Sequence, residues 1–270
     1  MKKFFALALS VLTLTAALTA CGGDSADSST LRVGASATPH AVILRECVPI
    51  LEDQGITLEI VEYGDYIVPN TAVEEGEDDA NYFQHQAYLD NFNAERGTHL
   101  VSVAAVHYEP MGIYPGRVDS IDALPDGGTV AVPNDVTNEG RALLLLEAQG
   151  LIELDPAAGL NATPNDIVSN PKNLEFTELE AAMIPNTVDQ FDLNVINSNY
   201  ALQAGLNPAT DALASEDAAS DAAQTYANVL VVKEGNEEDE RVQALVEALS
   251  SEQVRTFIEE NFSGSVVPLT

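Results

Sequence analysis

Residues 31–62 read LRVGASATPHAVILRECVPILEDQGITLEIVE. Leu31–Ala35 alternates apolar and polar residues, as a strand does on entering a turn. AVILRECVPILEDQG follows with apolar residues at helical spacing and stops at Gly55. Ile56–Glu62 alternates again. A strand, a helix and a second strand in so short a span form the unit from which parallel sheets are built.

The same rhythm continues toward the C-terminus. Asp65 is placed to cap a helix through Asn70–Glu75 that Gly76 closes. DANYF reads as a short buried strand, and QHQAYLDNFNAERG as a helix ending at Gly97. LVSVAAVHYEPMGIYPG is a strand pair, or one strand bent at Pro110. A second unit then begins with the strand TVAVP and the helix TNEGRALLLLEAQG. LEFT (174–177) and DLNVIN (192–197) are strands, with a helical AAMIPNTVDQF between them that kinks near Pro185. SNYALQAG opens another helix. ALASEDAASDAA (212–223) is small, polar and of low complexity, and reads as an exposed loop or linker. YANVLVVKEG is a late strand, and ERVQALVEALSSEQVRTFIEENF a long helix or helix pair.

The pattern predicts an α/β protein of two lobes, each a mostly parallel sheet flanked by helices. Residues 31–110 and 225–270 would form lobe one, and 111–224 lobe two. Clefts between such lobes are the usual place for a small ligand.

In front of these elements, Lys2 and Lys3 precede the 17-residue apolar or small run FFALALSVLTLTAALTA. A membrane span needs about 20 residues, so residues 1–20 fit a secretory signal better. The run ends in LTAC (18–21), a lipobox in which Cys21 becomes the lipidated N-terminus of the mature chain. GGDSADSST then completes a flexible tether over residues 21–30. Two acyl chains suffice for stable anchoring, which predicts a lipid-anchored protein on the extracytoplasmic face of the cell membrane. Of the two cysteines only Cys47 remains, too few for a disulfide and best read as core.

Past the signal, nine basic residues face 43 acidic ones, a net charge near −34. Such a surface repels phosphate backbones and excludes a nucleic-acid partner.

Open α/β sheets bind ligands at the carboxyl ends of their strands, and polar residues gather at those ends here. Tyr66 follows ITLEIVEY. Phe83 and His85 sit at alternate positions and so share a face. His107 lies near the end of LVSVAAVHY. Asn138 and Arg141 open the helix after TVAVP, and Asn197 and Asn199 follow DLNVI. A helix start with an added guanidinium suits a carboxylate. A surface Arg paired with one of the many acids is the plainer reading of Arg141. Residues 81–92, NYFQHQAYLDNF, hold four aromatics and one of the four histidines in a chain only 6% aromatic. Neutral hydrogen-bonding histidines in a polar-aromatic pocket fit this better than zinc or a hydrolase using His85 and His107. No His-Glu-x-x-His spacing and no Gly-x-Ser-x-Gly turn is present. His40 reads as a helix-start residue without a role, His99 as a surface residue, and Gln84 and Gln86 as structural.

VGASATPHAVIL, LEIVEYGDYIVPNTAVEEGEDDANYFQHQAYLDNFN, LVSVAAVHYEPMGIYP, VAVPNDVTNEGRALLLLEAQGLI, NPKNLEFTELEAA, VINSNYALQAGL and YANVLVVKEG together resemble the NlpA/MetQ family of methionine-binding lipoproteins, from about Leu31 to the end. The resemblance implies a type II periplasmic-binding-protein-like fold. It further implies a non-enzymatic, monomeric, cofactor-free and metal-free substrate-binding protein that delivers L-methionine to the permease and ATPase of an ABC importer. D-methionine, another amino acid or a methionyl dipeptide are the alternatives on the same fold. It assigns the ligand carboxylate to Arg141 and the other polar groups to Asn138, Asn199 and Asn197. Tyr66, Phe83, His85, Tyr88 and His107 would wall the side-chain pocket. This chain departs from the family's usual Phe-Phe-Gln-His-Gln-Pro-Tyr at Tyr82 and Ala87. It also departs at Thr38, before Pro39 and His40. Tyr82 should point away from Phe83 and affect the pocket little.

Overall fold

The computed structural model describes residues 29–217 and 225–269. The predicted signal, the Cys21 lipidation site and nearly all of the tether lie outside the described residues, as does 218–224 of the acidic stretch.

The opening unit forms as its pattern predicts. Strand β1 (Thr30–Ser36) buries Leu31, Val33 and Ala35, and lies parallel to β2 (Thr57–Tyr63). Between them α1 (His40–Glu52) turns His40, Ala41, Ile43, Leu44, Cys47 and Leu51 inward. That spacing is one helical face. Asp65 accepts hydrogen bonds from the main-chain N–H of Ile67 and Val68, and so serves the start of α2 (Val68–Glu75). Gly76 ends α2 at φ +77°, a conformation that costs glycine little.

Strand β3 (Ala80–His85) is buried at every residue. It passes directly into α3 (Gln86–Arg96), so the strand end and the helix start are one feature. β4 (Leu100–Tyr108) follows. The chain then leaves this sheet through Glu109, Pro110 and Met111 to start β5 (Gly112–Pro115) in a second sheet. The segment EPM is therefore a crossing between sheets.

The chain continues through β6 (Thr129–Pro133), α4 (Val136–Ala148), β7 (Glu153–Leu154) and β8 (Ile167–Ser169), which pair as a small sheet of their own, then β9 (Glu175–Leu179), β10 (Leu193–Ile196), α5 (Ser198–Gln203) and β11 (Ala214–Ser215). The region predicted as a kinked helix at 181–191 is instead two 3-10 turns, Ala181–Asn186 and Val188–Gln190. Proline inside the first of them prevents a full α-helical ladder. The chain returns with β12 (Ala227–Lys233), α6 (Glu240–Leu249), α7 (Glu252–Phe262) and β13 (Val267–Pro268).

Strand order is β13-β4-β12-β3-β1-β2 in the first sheet and β11-β5-β10-β6-β9 in the second. Both sheets are mixed. β1 runs parallel to β2 and β3, while the returning β12 inserts antiparallel between β3 and β4. β6 runs parallel to β9 and β10, and β5 is antiparallel to β10 and β11. Each sheet has its own apolar core, the first against α1, α6 and α7 and the second against α4. Cys47 lies in the first core, where burial pushes its thiol up to about 12.

The stretch 212–217 is not a free linker. Ala214 and Ser215 pair with Ile113 and Gly112, and Glu216 turns inward. A low-complexity composition reports nothing about edge pairing of this kind, which is set by backbone groups. Among the described residues, no helix is long and apolar enough to cross a membrane.

Candidate functional site

A cavity opens where the two sheets meet. The first sheet and its connections supply Tyr66, Phe83, Gln84, His85, Tyr88 and Asn228. The crossing supplies Glu109, and the starts of α4 and α5 supply Asn138, Arg141, Asn197 and Ser198.

Its aromatic side comes from the β3–α3 junction. Phe83 and His85 share a face of β3, as alternation requires. Tyr66 lies 5.9 Å from Phe83 and 5.7 Å from Tyr88, centroid to centroid. Phe83 and Tyr88 meet edge-on at 6.2 Å. The Tyr88 hydroxyl donates to the Tyr66 main-chain oxygen at 3.0 Å, which fixes one ring against the other. Tyr82, on the opposite face, is fully buried in the first core and does not line the cavity.

His85 caps α3: its Nδ1 accepts from the Tyr88 main-chain N–H at 3.1 Å. The ring proton therefore sits on Nε2, which donates to Asn138 Oδ1, also at 3.1 Å. Burial, aided by the Arg141 charge, lowers the His85 pKa to about 3 and keeps the ring neutral. The same Asn138 oxygen accepts from Asn197 Nδ2 at 2.7 Å, while Asn138 Nδ2 donates to both oxygens of Asp135. Asn138 thus ties α3, α4 and α5 together. Asn199 ties the sheets in another way, accepting from the Tyr66 hydroxyl at 2.5 Å.

Arg141 is 3% exposed. Its Nε and Nη2 meet the Glu216 carboxylate at 2.8 and 2.5 Å, and Nη2 also donates to the Glu109 main-chain oxygen at 2.7 Å. The guanidinium lies 4.2 Å from the Tyr226 ring centroid, a cation–π contact. Although burial opposes both charges, Arg141 holds the Glu216 carboxyl below the ordinary range and Glu216 raises the guanidinium further.

His107 is placed behind the cavity, not on its wall. It is fully buried, bonds the Tyr82 hydroxyl through Nδ1, and reaches Glu109 Oε1 through Nε2 at 2.8 Å. His40 is not a bystander at a helix start. It is 1% exposed, lies 3.3 Å from the same Glu109 oxygen and 2.9 Å from Asn228 Oδ1. The donor atoms of His40, His107 and Glu109 lie within 4.8 Å of one another, a spacing that suits a cation. His107 Nε2 and Glu109 Oε1 bond each other and His40 Nε2 bonds Asn228, while His40 Nδ1 has no hydrogen-bond partner among the described residues. His85 and His107, the pair a zinc or hydrolase reading would need, do not meet in this arrangement. Gln84 belongs to a buried amide network with Asn70 and Asn81, Gln86 bonds Asp90 on the surface, and His99 is exposed beside Glu74.

Sequence reasoning passed over Glu109 and Glu216. The only signal for Glu109 was its place two positions after His107 in HYEPM, and for Glu216 there was none.

A model of the NlpA lipoprotein family matches residues 31–270. The chain belongs to the NlpA lipoprotein family. It is 39% identical to the methionine-binding lipoprotein MetQ of Bacillus subtilis over all of both chains. It is 40% identical to the D-methionine-binding lipoprotein MetQ of Escherichia coli, over 98% of this chain and 97% of that one. Among solved structures, a nutrient binding protein from Burkholderia cenocepacia bound to methionine matches with a TM-score of 0.85 and 40% identity. That match covers 89% of this chain and all of the other. NlpA lipoproteins with these names bind a ligand, and the cavity here has the hydrogen-bonded, ring-walled form that such a task needs.

Proposed function

We propose that this NlpA lipoprotein is the extracytoplasmic binding component of an ABC importer, and that its ligand is methionine or a close relative. The observation that carries this reading is the ring wall of Tyr66, Phe83 and Tyr88 sharing one buried cavity with Arg141. A thioether is apolar and polarisable and prefers aromatic edges and faces. An α-carboxylate needs a cation or aimed N–H groups. With Nε and Nη2 already bonded to Glu216, the guanidinium offers that carboxylate its charge rather than a free two-nitrogen fork. The methionine-binding relatives and the methionine-bound neighbour support the choice of ligand.

The two sheets act as two lobes, 31–110 with 225–270 and 111–224, that close on the ligand by hinge motion about the crossing at Glu109–Met111. Cys21 carries the lipid anchor that keeps the protein at the outer face of the membrane, beside the permease and ATPase that receive its cargo. The test is thermal shift of the purified chain against the common amino acids and both methionine enantiomers. Methionine should raise the melting temperature most. No shift with either enantiomer, and a shift with an unrelated amino acid, overturns the ligand but leaves the class.

A further inference from the structure

Two charged residues line the cavity, Arg141 and Glu109. Arg141 already has its counter-ion, since Glu216 grips it through two nitrogens. Glu109 has none. Its side chain is 7% exposed, and burial raises its pKa. The groups on its carboxylate are His107 Nε2 at 2.8 Å, His40 Nε2 at 3.3 Å, and the Asn199 main-chain N–H. Both rings are kept neutral by burial, His40 to about 4 and His107 to about 3. Neutral N–H donors orient a carboxylate but do not cancel its charge. A buried carboxylate held by neutral donors, with no cation bonded to it among the described residues, is a site for a cation that arrives from outside.

Of the amide oxygens first assigned to the ligand's polar groups, Asn197 Oδ1 is without a partner among the described residues, while those of Asn138 and Asn199 are engaged. Asn138 Oδ1 accepts from His85 and Asn197, and Asn199 Oδ1 from Tyr66. Glu109 also stands next to the guanidinium, because Arg141 Nη2 bonds its main-chain oxygen at 2.7 Å. A guanidinium bonded to the main chain of the residue that carries the carboxylate puts a cationic and an anionic group side by side, which matches a ligand with both charges on a single carbon.

We infer that Glu109 takes the α-ammonium of the ligand, beside the carboxylate site at Arg141. The inference rests on the amino-acid reading of this cavity, and the experiment separates the two. Calorimetry on the full chain compares methionine with 4-(methylthio)butanoate, which is methionine without its ammonium. The wild type should bind the desamino compound at least about 30-fold more weakly. In Glu109→Gln, methionine affinity should fall by a similar factor while the desamino compound loses far less, so that the preference shrinks below about 5-fold. Glu109→Asp keeps the charge and should keep a clear preference at lower affinity, which covers the event that the Gln variant folds poorly. Full methionine affinity in Glu109→Gln, or an unchanged preference in a folded Glu109→Gln, overturns the proposal. If wild-type protein ignores methionine, the ligand reading fails instead, and the same comparison is run with the amino acid that binds and its own desamino form.

Discussion

The Tyr66 hydroxyl, from the turn after β2, donates to Asn199 Oδ1 in the first turn of α5, at 2.5 Å. This bond joins the first sheet to the second directly over the cavity. Tyr66→Phe keeps the ring against Phe83, Tyr88 and Tyr200 and removes only the bond. A neutral hydrogen bond contributes about 1 kcal/mol net, so ligand affinity should fall about 5-fold, mainly through faster release. Surface plasmon resonance reads the two rates. An unchanged off-rate would mean that the bond does not hold the closed form.

Arg141 and Glu216 form a buried pair whose members fare badly alone. Removing one partner of such a pair costs about 3–5 kcal/mol, because the other charge is left uncompensated. Arg141→Ala should therefore lose binding and also melt at a clearly lower temperature. The double variant Arg141→Ala/Glu216→Ala should recover much of that stability and none of the binding. Denaturant melts and calorimetry on the two variants and the wild type separate the roles. If the double variant were no more stable than Arg141→Ala, the pair would not be the source of the loss.

These two pairs also mark where the sequence was readable. Phe83 and His85 could be placed on one face because strand alternation is local, and Arg141 because a helix start follows a strand. Glu216 could not, since the partner that draws it inward stands 75 positions away and its surroundings in sequence look like linker. His40 was hidden in the same manner: what makes it matter is Glu109 and Asn228, met only after the chain crosses between sheets and returns. The parallel unit β1–α1–β2 was legible from its periodicity. The antiparallel insertion of β12 between β3 and β4 was not, because pairing between distant strands leaves no local pattern.

Three buried histidines make stability depend on acid. Burial lowers His40 to about 4, and His85 and His107 to about 3, against an ordinary value near 6.5. Between those limits the unfolded chain binds more protons than the folded one, so stability rises with pH and is fully present above about 6.5. Well below that, each histidine removes about 1.4 kcal/mol per pH unit. Glu109 and Asp135, raised by burial, act in the opposite sense, adding stability at low pH that is lost as the pH rises through their folded values. The melting temperature should drop steeply from pH 6.5 toward 5. His85→Gln, which still offers an acceptor to the Tyr88 N–H, should flatten that limb by about one proton in a pH series of denaturant melts. A slope identical to wild type would show that His85 does not stay neutral in the fold.

Phe83 tests whether the rings read sulfur or only shape. It is 3% exposed and stands edge-on to Tyr88 at 6.2 Å and near Tyr66 at 5.9 Å. A sulfur–aromatic contact contributes about 0.3–1.5 kcal/mol, which corresponds to a preference for methionine over norleucine of up to about 10-fold. Phe83→Leu preserves an apolar wall of similar volume and removes one ring face. Methionine affinity should fall several-fold, norleucine affinity should change little, and the preference should narrow. Competition binding of the two ligands to wild type and Phe83→Leu gives the ratio directly. If both ligands weaken by the same factor, the wall selects by fit alone, and the sulfur contact belongs to Tyr66 or Tyr88 or to no ring at all.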